Sequence, residues 1–183
     1  MVDVGLLQSL SYIAAAVGVC MAAVYYAMTI RNQNQTRQAQ LFIQLSEQFW
    51  NKEALEDNWK LLEMEWKDLD DFYRKYDSSV NVKNFAMRWH LWYSMDTAGL
   101  LMKKGLIDRE MVNYLMGGYW GLWTWKKFED IIKHQRARNN MPELGIWFEY
   151  LANEMAKMRE KKGYTAEIPE DWGAMKSGEK TLP

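Results

Sequence analysis

His134 follows Asp130 by four residues, one turn of a helix, with Glu129 beside them. A carboxylate and an imidazole on one helical face can move a proton or give two ligands to a divalent metal. Either chemistry needs a further group, for which Glu149 or Glu154 is the candidate. The constellation is incomplete, and the plainer reading is a surface pair near a helix C-terminus. His90 and His134 have Met87 and Ile131 three residues before them, so the Glu-x-x-His pattern of carboxylate di-iron bundles is absent. The single cysteine, Cys20, forms neither an internal disulfide nor a thiolate metal cage. No Gly-x-Ser-x-Gly and no phosphate loop occurs. Met155 and Met158, three apart, offer soft thioethers of the kind that hold Cu(I), but without Cys or His beside them they read as core filler. These residues name no reaction and no cofactor, and the chain reads as non-enzymatic.

Charge says more about placement than about chemistry. The 183 residues carry 23 Lys and Arg against 24 Asp and Glu, a net charge of −1, which argues against a nucleic-acid partner. Asp3 is the one charge in the first 30 residues, and 27 uncharged residues run from Val4 to Ile30. About 20 apolar residues cross a hydrocarbon core of about 30 Å. Residues 10–30 are therefore expected to form a transmembrane helix, preceded by an extracytoplasmic segment, 1–9. The acidic start and the long apolar run favour an uncleaved anchor over a signal peptide. Every Lys and Arg follows the span, with Arg31 and Arg37 close behind it. This predicts a single-pass protein of the cell's inner (plasma) membrane, N-terminus out and the bulk of the chain cytoplasmic. Tyr25, Tyr26 and Arg31 suit the inner interface as anchors. Ala14, Gly18 and Ala22 recur every four residues and form a smooth stripe on which another membrane helix can pack.

Residues 31–162 read as a cytoplasmic helical domain. The membrane helix can continue to Trp50 without Pro or Gly, with Leu41, Phe42, Leu45 and Phe49 on its apolar face. Asn51 caps a second helix, with Leu55, Trp59, Leu62 and Trp66 inward. A short helix follows over Asp68 to Tyr76. Ser78 or Ser79 is expected to cap a long one from about Asn81 to Lys103, ended by Gly105. Asp108 caps another that runs to about His134. Asn139 and Asn140 break the chain, Pro142 suits a first turn, and a last helix extends to Lys161 or Lys162. The fold class is thus all-α: one transmembrane helix and a bundle of about five or six helices.

Gly117 and Gly121 fall one turn apart inside the helix expected after Asp108. They read as a close-packing groove, where a bulky replacement costs about 1–3 kcal/mol. Residues 163–183 are rich in Gly, Pro, Glu, Lys and Ser and read as a polar tail. Tyr164 and Trp172 are its aromatic candidates for docking on a neighbouring subunit.

Several segments together resemble a known layout: Thr36-Arg37-Gln38, Phe42 to Phe49, Ala98 to Asp108, Trp120 to Trp123 with Arg136 after it, and Trp147 to Ala152. In these the chain is similar to a family of uncharacterised prokaryotic single-pass membrane proteins, over most of residues 10–160. The resemblance implies an anchor plus a helical domain and carries no activity. The expected function is a non-catalytic accessory or scaffold subunit of a membrane complex, by analogy an energy-converting one (photosynthetic, respiratory or monooxygenase). Its partners are the membrane and other membrane-protein subunits. The alternative is a stand-alone signalling or lipid-sensing domain tethered to the membrane.

Overall fold

Asn51, Asp68, Asn81 and Asp108 mark four of the helix starts. Each places a side-chain oxygen on a backbone N–H two or three residues ahead, satisfying donors that the first turn leaves open. The structure, a computed structural model, describes residues 4–167. Among them it contains seven helices and no strand: α1 (Val4–Trp50), α2 (Lys52–Leu62), α3 (Leu69–Tyr76), α4 (Val82–Lys103), α5 (Arg109–Leu115), α6 (Trp120–Arg138) and α7 (Ile146–Lys161). The chain divides into two units, 1–40 and 41–183. The fold is all-α, with one long apolar helix at the N-terminus and six further helices.

In the first unit α1 is apolar and uncovered. Val19, Met21, Tyr25 and Tyr26 are each about 70 % exposed. The most apolar part of α1 reaches a mean hydropathy of 1.9 over 18 residues, with none of that window buried, so α1 is long and apolar enough to cross a membrane.

In the second unit the end of α1 supplies Leu45 and Phe49 to a buried core. The most extensive pairing is α4 with α7, and α6 also lies along α7. The centre is aromatic. Trp92 meets Phe128 edge-on with ring centres 5.6 Å apart, Trp66 stacks on Phe128 at 5.7 Å, and Trp125 meets Phe148 edge-on at 5.2 Å.

Several sequence expectations are corrected here. Asn81, not Ser78 or Ser79, caps α4. On α2 the buried face is Ala54, Asn58, Leu61 and Leu62, while Leu55 and Trp59 are exposed; the inward stripe is rotated by one residue from the expected one at its start. Pro142 lies in the turn before α7, which starts at Ile146 after Gly145 in the left-handed region, φ 67°. The helix expected from Asp108 to His134 is two helices. Gly117 and Gly118 both take positive φ, 58° and 75°, and turn the chain between α5 and α6.

Candidate functional site

The membrane-facing candidates sit on the first unit. Ala14, Gly18 and Ala22 are all exposed, and a Cβ built on Gly18 would meet nothing within 4 Å. Four polar side chains of this stretch find partners within the helix. Ser9 Oγ donates to the Gly5 carbonyl, Ser11 Oγ to Leu7 and Thr29 Oγ1 to Tyr25, each one turn back, and Gln8 Nε2 donates to the Tyr12 hydroxyl. Back-bonding of this kind removes the need for water, which suits a lipid surrounding. Tyr25, Tyr26 and Arg31 follow one another down the exposed end of this segment.

The close-packing candidates separate. Gly121 lies in α6 against α7, where a Cβ would come 2.8 Å from Met155 Sδ and 3.4 Å from Leu151 Cδ2. Gly117 is in the α5–α6 turn and faces no helix. A Cβ there would meet the Tyr119 ring at 3.3 Å, and the residue is glycine because of its left-handed backbone. Gly99, unmarked by the sequence reading, makes the tightest approach: a Cβ on it would lie 1.9 Å from the Trp147 carbonyl oxygen. The small pair Ala98-Gly99 on an apolar face was the available signal.

Asp96 is the second feature that the sequence reading missed. Its Oδ1 accepts from the backbone N–H of both Trp147 and Phe148 at 2.9 Å. Gly145 gives α7 no side-chain cap, so Asp96 of α4 supplies one from another helix. Burial pushes its carboxyl above the ordinary carboxylate value, against these two hydrogen bonds and the charge of Arg136.

Arg88 is 1 % exposed in α4. Its Nε donates to Asn84 Oδ1 and its Nη2 to the Tyr76 carbonyl, and its guanidinium lies 4.6 Å from the centre of the Phe72 ring. Burial lowers its pKa to about 10. These contacts explain it as a clamp holding α3 to α4.

Gly117 and Tyr164, assigned separate roles by the sequence, meet at one cavity of about 370 Å³ between the α5–α6 turn and the end of α7. The tail root beside it folds back on its own chain. Arg159 Nε donates to the Thr165 carbonyl, Lys126 Nζ to Ala166, and the Arg159 guanidinium lies over the Tyr164 ring. Tyr164 is 61 % exposed at this rim; Trp172 lies outside the described residues. His134 packs its ring on Tyr73, and Glu129 pairs with Lys133. Among the described residues no group of three His, Cys, Asp or Glu is placed to hold a metal ion.

A family model described as a domain of unknown function (DUF4760) matches residues 12–155, and the chain belongs to that family. The matched residues begin in the apolar part of α1 and end inside α7. No curated protein and no solved structure matches the chain.

Proposed function

We propose that this family member is an anchored, non-catalytic accessory or scaffold subunit of a larger membrane assembly. The observation that carries the reading is the uncovered apolar surface of α1. From Leu10 to Ile30 the chain buries none of these side chains, while the second unit fills its own core. Lipid covers most of such a surface, and the Ala14, Gly18 and Ala22 stripe is shaped for the backbone of a second helix. The absence of Lys and Arg before the span, with Arg31 and Arg37 after it, supports an N-terminus outside and residues 31–183 in the cytoplasm of a plasma membrane. Tyr25, Tyr26 and Arg31 then anchor the inner interface. Energy-converting assemblies are the class of complex proposed, by analogy with other single-span subunits.

The test is native purification of the tagged, full-length protein in mild detergent. Other membrane subunits are expected at fixed stoichiometry, and Gly18→Leu should lose them without changing the melting temperature of the helical domain. A protein that purifies alone, with Gly18→Leu indistinguishable from it, overturns the scaffold reading. The second reading, a tethered lipid-sensing or signalling domain, draws on the cavity at Tyr164 and would stand in that case.

A further inference from the structure

The cavity between the α5–α6 turn and the end of α7 has walls of one chemical character. Arg159 and Lys162 bring two cations, Tyr114 and Tyr164 two phenols and Asn113 a carboxamide, and among the described residues no Asp or Glu lines it. Elsewhere on α7 the pairing is different. Lys157 and Arg109 both reach Glu154, and Glu149 meets Arg136, while among the described residues neither Arg159 nor Lys162 pairs with a carboxylate. Arg159 spends Nε on the Thr165 carbonyl and one Nη1 bond, at 3.1 Å, on the Gly118 carbonyl. A guanidinium has five N–H groups, so this fixes its plane and leaves donors for an anion.

The backbone keeps the space open. Gly118 holds φ at 75°, and a Cβ built on it would lie 3.9 Å from Asn113 Oδ1, in front of the carboxamide. That Oδ1 is buried without a hydrogen-bond partner among the described residues. Glycine at 118 therefore serves the turn that forms this wall. The volume, about 370 Å³, falls in the range of small-ligand pockets. The carbonyl end of α7 alone would repel an anion, but two full positive charges in or next to its last turn reverse the local sign.

We propose that this cavity binds a small phosphate monoester, the phosphate taken by Arg159 and Lys162 and the ester end lying against Tyr114 and Tyr164. A monoester carries close to two negative charges at neutral pH, matching the two cations that pair with no carboxylate among the described residues. The same chemistry is found in a soluble polyol phosphate and in the headgroup of phosphatidic acid. The proposal goes beyond the scaffold reading and does not depend on it.

The experiment titrates the full-length protein in neutral detergent by calorimetry. Glycerol 3-phosphate, dihexanoyl phosphatidic acid and succinate are the probes. Saturable binding of one phosphate ester per chain is expected, weakened about tenfold or more by Lys162→Gln, the loss of one charge-assisted contact. Lys161→Gln, an equal change of net charge at an exposed neighbour outside the cavity, should leave the affinity unchanged. Both variants should keep the parent melting temperature. Binding of glycerol 3-phosphate assigns a soluble ligand, and binding confined to the lipid assigns a headgroup; either supports the proposal. No saturable binding of either ester overturns it. So does equal weakening by the two lysine variants, or succinate binding as tightly as the esters.

Discussion

Gly99 lies against the backbone of Trp147 so closely that a Cβ at 99 would stand 1.9 Å from the Trp147 carbonyl oxygen and 3.2 Å from Leu151 Cβ. The obstructing atom is main chain, so it cannot rotate away. Gly99→Ala must part α4 from α7 and should destabilise the domain by about 3 kcal/mol or more, above the usual range for overpacking. Gly121→Ala meets the end of a flexible Met155 side chain instead. Alanine's better helix propensity, worth about 1 kcal/mol, offsets the contact, and the change should stay within about 1 kcal/mol of neutral. Denaturant unfolding of the two variants checks the contrast. Equal losses would show that α4 and α6 approach α7 alike.

Gly117 should respond for another reason. Its φ of 58° is left-handed, so Gly117→Ala should cost about 1–2 kcal/mol through the backbone, and Gly117→Asn, which tolerates that region, much less. If Ala and Asn lose the same amount in thermal melts, a side-chain clash and not the backbone sets the cost.

Asp96 makes a pH-dependent prediction. A carboxyl whose native pKa is raised holds its proton more tightly folded than unfolded. Its contribution is therefore most favourable in acid and declines as pH rises through the raised value. Asp96→Asn keeps an oxygen for both N–H groups and should remove this dependence, matching the parent in acid and exceeding it at neutral pH, where the parent's buried carboxylate is charged. Asp96→Ala leaves the Trp147 and Phe148 N–H groups without an acceptor and should cost about 1–2 kcal/mol. Asp71 runs the other way. Its hydrogen bond from Lys75, with help from Arg74 and the Lys67 N–H, holds its carboxyl well below the usual value of 3.8. That stability is present at neutral pH and is lost as pH falls below 3.8. Stability measured from pH 3 to pH 8 should show both Asn variants nearest the parent in acid and separating from it at neutral pH, Asp71→Asn below the parent and Asp96→Asn above it.

Arg88→Lys should destabilise by about 1–3 kcal/mol. A lysine cannot reach both Asn84 Oδ1 and the Tyr76 carbonyl, nor lie flat on Phe72, and its ammonium pays more to leave water. A melting temperature unchanged from the parent would mean that the ring contacts alone hold α3 to α4.

Topology is open to a direct check. With Cys20 replaced by Ala, an introduced Ser78→Cys sits on an exposed position of the second unit. In intact cells it should resist a membrane-impermeant maleimide and react after permeabilisation. Ready reaction in intact cells would reverse the proposed orientation.

The elements were legible where the signal is local. Asn51 and Asp108 announce their helices, and the 27 uncharged residues from Val4 announce the apolar one. What failed was anything decided across the fold. Leu55 and Trp59 carried the periodicity of a buried face, yet Ala54 and Asn58 are the residues buried there, because the neighbouring helices and not the local spacing decide which side of α2 is covered. Gly117 was read for packing together with Gly121, when Gly117-Gly118 is itself a turn signal. Gly99 and Asp96 could not be found along the chain, since the atoms that define both roles belong to Trp147 and Phe148, some 50 residues away.

That separation also orders the folding of the domain. α7 has a glycine at its start and no cap of its own, and 16 residues are marginal as an isolated helix in water. Its start is secured by a carboxylate synthesised some 50 residues earlier. A growing chain therefore carries Asp96 with its partners still missing until α7 emerges, and α7 gains a fixed N-terminus only by docking. Pulsed hydrogen exchange should accordingly find the Trp147 and Phe148 amides protected late and in step with each other, after the locally capped start of α5.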